Sequence, residues 1–139
     1  MLSNNDKRSI IDTMKEARML DHGSYISGDE FRNYFGIKMP VMGKHSDFKS
    51  AELEELTCSG FLRDLLLNEG KYLKSEKDSY RILLPSENKE QVLSYMSQAD
   101  KKLKRGIKLN KNTPVEHKIQ TQDEVRMIMK RDQVKRHGS

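Results

Sequence analysis

The feature that most restricts this chain is residues 48–85, where helical apolar spacing runs directly into two short runs of strand-forming residues. Leu53, Leu56, Phe61 and Leu65 predict an amphipathic helix. After it, Lys71-Tyr72-Leu73-Lys74 and Tyr80-Arg81-Ile82-Leu83-Leu84 flank the polar run Ser75-Glu76-Lys77-Asp78-Ser79. Two aromatic and branched runs on either side of five polar residues read as a β-hairpin. Pro85 cannot donate to a ladder and ends the second strand.

The flanks predict more helices. Asn5 or Asp6 can cap a first helix that places Ile10, Ile11, Met14 and Ala17 on one face, with Leu20 one turn later and His22-Gly23 as its stop. Residues 24–27, with Tyr25 and Ile26, predict a brief extended piece. Ser27-Gly28-Asp29-Glu30 matches a capping box and opens a short helix with Phe31, Tyr34 and Phe35 inward, closed by Gly36. A long link containing Pro40 and Gly43 leads to the third helix, which begins near Lys49. Its end is open to two readings: Ser59-Gly60 closes it before a second piece over 61–68, or one bent helix runs to Glu69-Gly70. Gly costs only about 1 kcal/mol relative to Ala in a helix interior, so both are tolerated. Leu65, Leu66 and Leu67 in a row imply burial on more than one side and put this helix at the centre of the core.

Downstream, Ser86 caps a helix to about Arg105 with Val92, Met96, Ala99 and Leu103 on one stripe, and Gly106 closes it. Residues 107–113 read as an extended basic arm. Thr113-Pro114-Val115-Glu116 and Thr121-Gln122-Asp123-Glu124 are two further helix starts, the second leading into Val125, Ile128 and Met129 as far as about Lys135. The expected class is mainly α with a small β-hairpin, as a domain over 1–105 followed by a basic arm and C-terminal helix over 106–139. The stripe of Val92, Met96, Ala99 and Leu103 or the helix near Val125 is either core, the preferred reading for the first, or a surface for a homodimer.

Charge narrows the partners. The net charge is +5, but residues 1–70 carry 9 Lys/Arg against 12 Asp/Glu, whereas residues 98–139 carry 12 against 5. A polyanion suits the basic third, because each neutralised phosphate releases condensed counterions. The plain alternative is that exposed lysines only keep the chain soluble. The longest apolar runs fall far short of the roughly 18 residues that suggest a membrane span. The first residues lack a signal-peptide h-region, and a single cysteine, Cys58, fits a reducing compartment, so a cytoplasmic location is expected.

Chemistry is hard to find. His22, His45, His117 and His137 stand apart, without the paired Cys or His spacing of a zinc site, and no other cofactor motif occurs. Cys58 reads as a small core residue, and Glu52, Glu54, Glu55, Asp64 and Glu69 as the solvated side of the third helix. No phosphate-binding Gly-rich loop or Ser elbow is present, and no catalytic residue is expected.

The order helix, helix, helix, hairpin, helix over residues 5–105 resembles the winged helix-turn-helix superfamily at the level of topology. The resemblance implies duplex DNA binding, with the reading helix over 49–68 and the wing loop over 75–79. Glu52, Glu54, Glu55 and Asp64 would then face a polyanion, offset only by Lys49 and Arg63. The phosphate contacts are therefore expected from Lys71, Lys74, Lys77 and Arg81 of the hairpin, with Lys101, Lys102, Lys104, Arg105, Lys108 and Lys111. The function so read is that of a non-catalytic, nucleic-acid-associated regulatory protein. The alternative is an adaptor or inhibitor that binds another protein through the acidic third helix.

Overall fold

A computed structural model describes residues 2–119 and 121–138, except the side chains of 121 and 135–138. The elements run α1 (Asn4–Glu16), β1 (Tyr25–Ser27), α2 (Gly28–Phe35), α3 (His45–Leu67), β2 (Leu73–Glu76), β3 (Ser79–Ile82), α4 (Pro85–Lys111), a 3₁₀ turn (Val115–His117) and α5 (Thr121–Gly138). The protein is mainly α with one small antiparallel sheet in the order β1-β3-β2. The chain divides into two compact units, Met1–Asn88 and Lys89–Ser139.

In the first unit, α1 starts earlier than Asn5 or Asp6 would place it. Ser3 Oγ accepts from Asp6 N at 3.1 Å while the Asp6 carboxylate accepts from Ser3 N at 3.4 Å, a reciprocal capping box. The helix also ends before His22-Gly23. Arg18 adopts a left-handed φ of 58°, and Met19 N donates back to Met14 O at 3.0 Å. Gly23, with φ of 83°, serves the sheet instead: its N–H donates to Ile82 O at 2.8 Å, and Ile82 N–H donates to Ser24 O at 2.8 Å. The extended piece at 24–27 thereby becomes β1, pairing Tyr25 with Arg81 and Ile26 with Tyr80.

The bounds of α2 follow the sequence reading, although of the expected capping box only the Ser27 half forms. Ser27 Oγ accepts from Glu30 N at 3.1 Å, and Gly36 closes the helix with φ of 66°.

The hairpin is tighter than a five-residue loop. Leu73, Lys74, Ser75 and Glu76 face Ile82, Arg81, Tyr80 and Ser79 across the ladder, leaving Lys77 and Asp78 as the turn. Asp78 takes φ of 53°, which a short polar side chain tolerates. Its carbonyl accepts from Gly28 N at 2.9 Å, stitching the turn to the start of α2.

α3 is one helix that passes through Gly60, with Ala51, Cys58, Ser59, Leu62 and Leu66 buried. Leu53 and Leu56 are 61% and 68% exposed, against the expected inward stripe. Phe61 and Leu65 are half-buried at the rim of the core. Both stripes obey the helical period; the buried one includes the small residues Ala51, Cys58 and Ser59. Leu66 is buried but Leu67 is exposed, so the Leu triplet is not fully interior. Around this face gather Ile11, Met14, Leu20, Ile26, Phe31, Phe35, Leu73 and Ile82. The Phe31 ring lies 4.7 Å from that of Phe35 and 4.5 Å from that of Tyr80. Lys7 is buried as well, with Nζ 5.3 Å from the centre of the Phe61 ring, which provides a cation–π contact.

In the second unit, α4 does not end at Arg105, and no extended arm follows Gly106. The helix continues to Lys111, with Ile107 and Asn110 buried. Asn110 Oδ1 accepts from Ile119 N at 3.1 Å, which draws the chain back after the helix. A Cβ added at Gly106 would lie 2.9 Å from Met127 Cε, so this glycine permits close approach of α5 and does not terminate a helix. The helix start expected at residues 113–116 is a single 3₁₀ turn. The capping role expected of Thr121 falls on a side chain outside those described. No helix of the described residues is long and apolar enough to cross a membrane.

Candidate functional site

The ten cations expected to meet phosphate divide between the two units. Lys71, Lys74, Lys77 and Arg81 belong to the first; Lys101, Lys102, Lys104, Arg105, Lys108 and Lys111 belong to the second.

In the first unit the hairpin places Tyr25, Arg81 and Lys74 in one row across β1, β3 and β2. Arg81 is heavily engaged there. Its Nη1 and Nη2 donate to the two oxygens of Glu87 at 2.7 and 2.9 Å, and its Nε donates to Glu76 Oε1 at 3.3 Å. A bidentate guanidinium–carboxylate pair of this kind is strong and geometrically specific. Glu87 and then Glu76 hold the Arg81 proton even more tightly than usual. The same contact, with a hydrogen bond from Leu84 N, lowers the Glu87 carboxyl from 4.5 to about 2. Lys71 Nζ lies 3.9 Å from Glu69, which also pairs with Lys15. Of the four, only Lys74 and Lys77 are exposed without an ion pair among the described residues.

In the second unit the continuation of α4 brings together residues that sequence assigned to a helix and to an arm. At about 100° per residue, Lys101, Lys104, Arg105, Lys108 and Lys111 fall within roughly one third of the helix circumference. The stripe is about 15 Å long at 1.5 Å per residue, and all five side chains are exposed. Lys102 lies about 100° from Lys101 and points off the stripe. Lys104 Nζ pairs with Asp100 Oδ2 at 3.0 Å; the other four are not ion-paired among the described residues.

Sequence reasoning passed over a second site in the first unit. Glu55 was expected on the solvated side of α3, yet its side chain is only 16% exposed. Its Oε1 accepts from the Tyr80 hydroxyl at 2.9 Å and from Arg32 Nη1 at 3.4 Å. Arg32 also donates to Asp29 at 2.9 Å and Asp78 at 3.1 Å, so one guanidinium ties α2 to α3 and to the hairpin turn. Asp29 is the largest influence holding the Arg32 proton more firmly than in free arginine. Burial first, and then the bond to Glu55, raises the Tyr80 phenol above its ordinary range. Burial likewise pushes the Cys58 thiol up, away from the thiolate a nucleophile requires. The only local signal for this network was the Asp29–Arg32 spacing within one helical turn.

Beside the network, α3 and the hairpin enclose an open cleft of about 360 Å³. Glu52, Glu55, Glu76 and Asp78 line it with Arg32 and Arg63, together with Met39, Leu56 and Tyr80. Arg63 is directed at the hairpin, donating to Leu73 O at 3.3 Å and Ser75 Oγ at 3.1 Å. A second, more apolar hollow of about 420 Å³ adjoins the cleft, bounded by Lys49, Glu52, Leu53 and Leu56. Among the described residues no three or more His, Cys, Asp or Glu side chains are placed so that they could hold a metal ion.

No protein-family model, curated protein or solved structure matches this chain. The functional reading therefore rests on these two sites.

Proposed function

We propose that the chain is a non-catalytic, nucleic-acid-associated regulatory protein that holds duplex DNA through the basic face of α4. The observation that carries this reading is the passage of α4 through Gly106, which sets five cations on one exposed stripe. Such a stripe suits a line of phosphates and reads charge, not base sequence. The winged-helix resemblance draws support from the element order α1-β1-α2-α3-β2-β3 and the strand order β1-β3-β2. In this proposal the hairpin contributes Lys74 and Lys77, and Arg81 is withdrawn into its pair with Glu87. α3 does not enter a groove, because Glu52 and two leucines occupy its open side. Reversing charge in the triple variant Lys104→Glu, Arg105→Glu, Lys108→Glu is expected to abolish retention on a DNA column at low salt. Unchanged retention overturns the assignment.

The exposure of Leu53 and Leu56 favours a second reading, in which α3 recognises another protein. Large apolar side chains adjoining one another on a surface commonly mark an interaction site.

A further inference from the structure

We infer that the groove on α3 takes a basic, aliphatic peptide segment of a partner protein, with an Arg or Lys in the cleft beside the hairpin and a neighbouring aliphatic side chain on Leu53 and Leu56. The inference rests on the second reading above, protein recognition by α3, and adds the chemistry of the partner.

Two adjoining halves define the occupant. The cleft of about 360 Å³ falls in the size range of binding pockets, and its four carboxylates outnumber its two guanidinium groups. Neither guanidinium is free to bind an anion. Arg32 is shared among Asp29, Glu55 and Asp78, and Arg63 is turned onto the hairpin. Glu52, by contrast, has no ion pair among the described residues and lines both the cleft and the apolar hollow. An anionic segment would be repelled there. A purely apolar one would strip water from the Glu52 carboxylate without replacing it, a costly change for an unpaired charge. A cation three or four residues from an aliphatic side chain meets both halves at once, since that spacing keeps the two on one side of a helical peptide.

The test uses the full-length protein and a fluorescein-labelled pool of 12-residue peptides. Arg and Leu are fixed four residues apart, with Ala, Ser and Gln varied elsewhere; a second pool carries Gln in place of Arg. Fluorescence anisotropy is expected to show saturable binding of the Arg pool, weakened at least tenfold by Glu52→Lys and by Leu56→Asp, and weaker binding of the Gln pool. Both substitutions are at exposed positions, and unchanged circular dichroism melting verifies the fold; Leu53→Asp provides a second apolar variant. Equal binding of the two pools, insensitive to Glu52→Lys but lost in Leu56→Asp, overturns the cationic specificity and leaves recognition by α3 standing. Binding of neither pool overturns both. Concentration-dependent dimerisation of the wild type that Leu56→Asp abolishes assigns the groove to a second copy and also overturns the inference.

Discussion

The Tyr80 hydroxyl donates to Glu55 Oε1 at 2.9 Å, joining the second hairpin strand to the middle of α3. Glu55 is in turn held by Arg32, so three elements meet on one carboxylate. A hydrogen bond to a charged, poorly hydrated acceptor contributes about 1.5 kcal/mol or more. Tyr80→Phe is therefore expected to lower stability by about that amount in urea unfolding, with the m-value unchanged. The variant should also alter the alkaline limb. Because the folded protein holds the Tyr80 proton above the ordinary range, its contribution is complete below about pH 10 and declines as pH rises beyond it. Tyr80→Phe removes that part of the decline.

The Arg81–Glu87 pair predicts the opposite limb. Glu87 titrates at about 2 in the folded protein against 4.5 ordinarily, so its contribution is present above about pH 4.5 and lost as pH falls toward 2. Glu87→Gln should flatten the acid dependence of the melting temperature over that window. Since Arg81 is engaged with Glu87 and Glu76, Arg81→Ala should flatten it too, while leaving DNA retention within twofold of wild type.

Leu56 and Leu62 lie on the same helix but differ in burial, 68% against 0% exposed, and identical truncations should separate them. Leu62→Ala removes a fully buried side chain and is expected to cost about 2–5 kcal/mol. Leu56→Ala, at a largely exposed site, should remain within about 0.5 kcal/mol of wild type. Chemical denaturation of the two variants measures both.

Gly106 gives a stabilising prediction. Ala is favoured over Gly by about 1 kcal/mol in a helix interior. Among the described residues the added methyl would press only on Met127 Cε, the end of a flexible side chain. Gly106→Ala is thus expected to raise the stability of the second unit by up to about 1 kcal/mol, as read by hydrogen exchange of the α4 amides.

These contrasts show what the sequence carried and what it hid. The Ser27 cap, the Gly36 stop and the strands around residues 73–82 were legible because each depends on local chemistry: a hydroxyl for an orphan N–H, a left-handed residue, a run of branched and aromatic side chains. The inward face of α3 was not legible. Its buried stripe includes Ala51, Cys58 and Ser59, which give a weak apolar signal, while the stronger Leu53 and Leu56 signal belongs to the open side. Gly106 misled for a related reason. Glycine serves both a left-handed turn and a close helix approach, and only the position of Met127 tells them apart. The basic stripe was split in the sequence reading for that reason alone, and the Arg32–Glu55–Tyr80 network, formed across 23 and 25 residues, left no mark beyond Asp29 and Arg32.

The central claim is that the α4 stripe supplies the main hold on DNA, to which Lys74 and Lys77 of the hairpin add. Its most direct test is the anisotropy of a labelled random-sequence duplex titrated with salt. If the five cations of the stripe each neutralise one phosphate, they should contribute about −4 to −5 to the slope of log affinity against log salt, at about 0.9 per phosphate. Lys108→Ala and Lys111→Ala together should reduce that slope by about 2, whereas Lys102→Ala, off the stripe, should change it little. Absence of binding at low salt, or a slope unaffected by the paired substitution, would contradict the account.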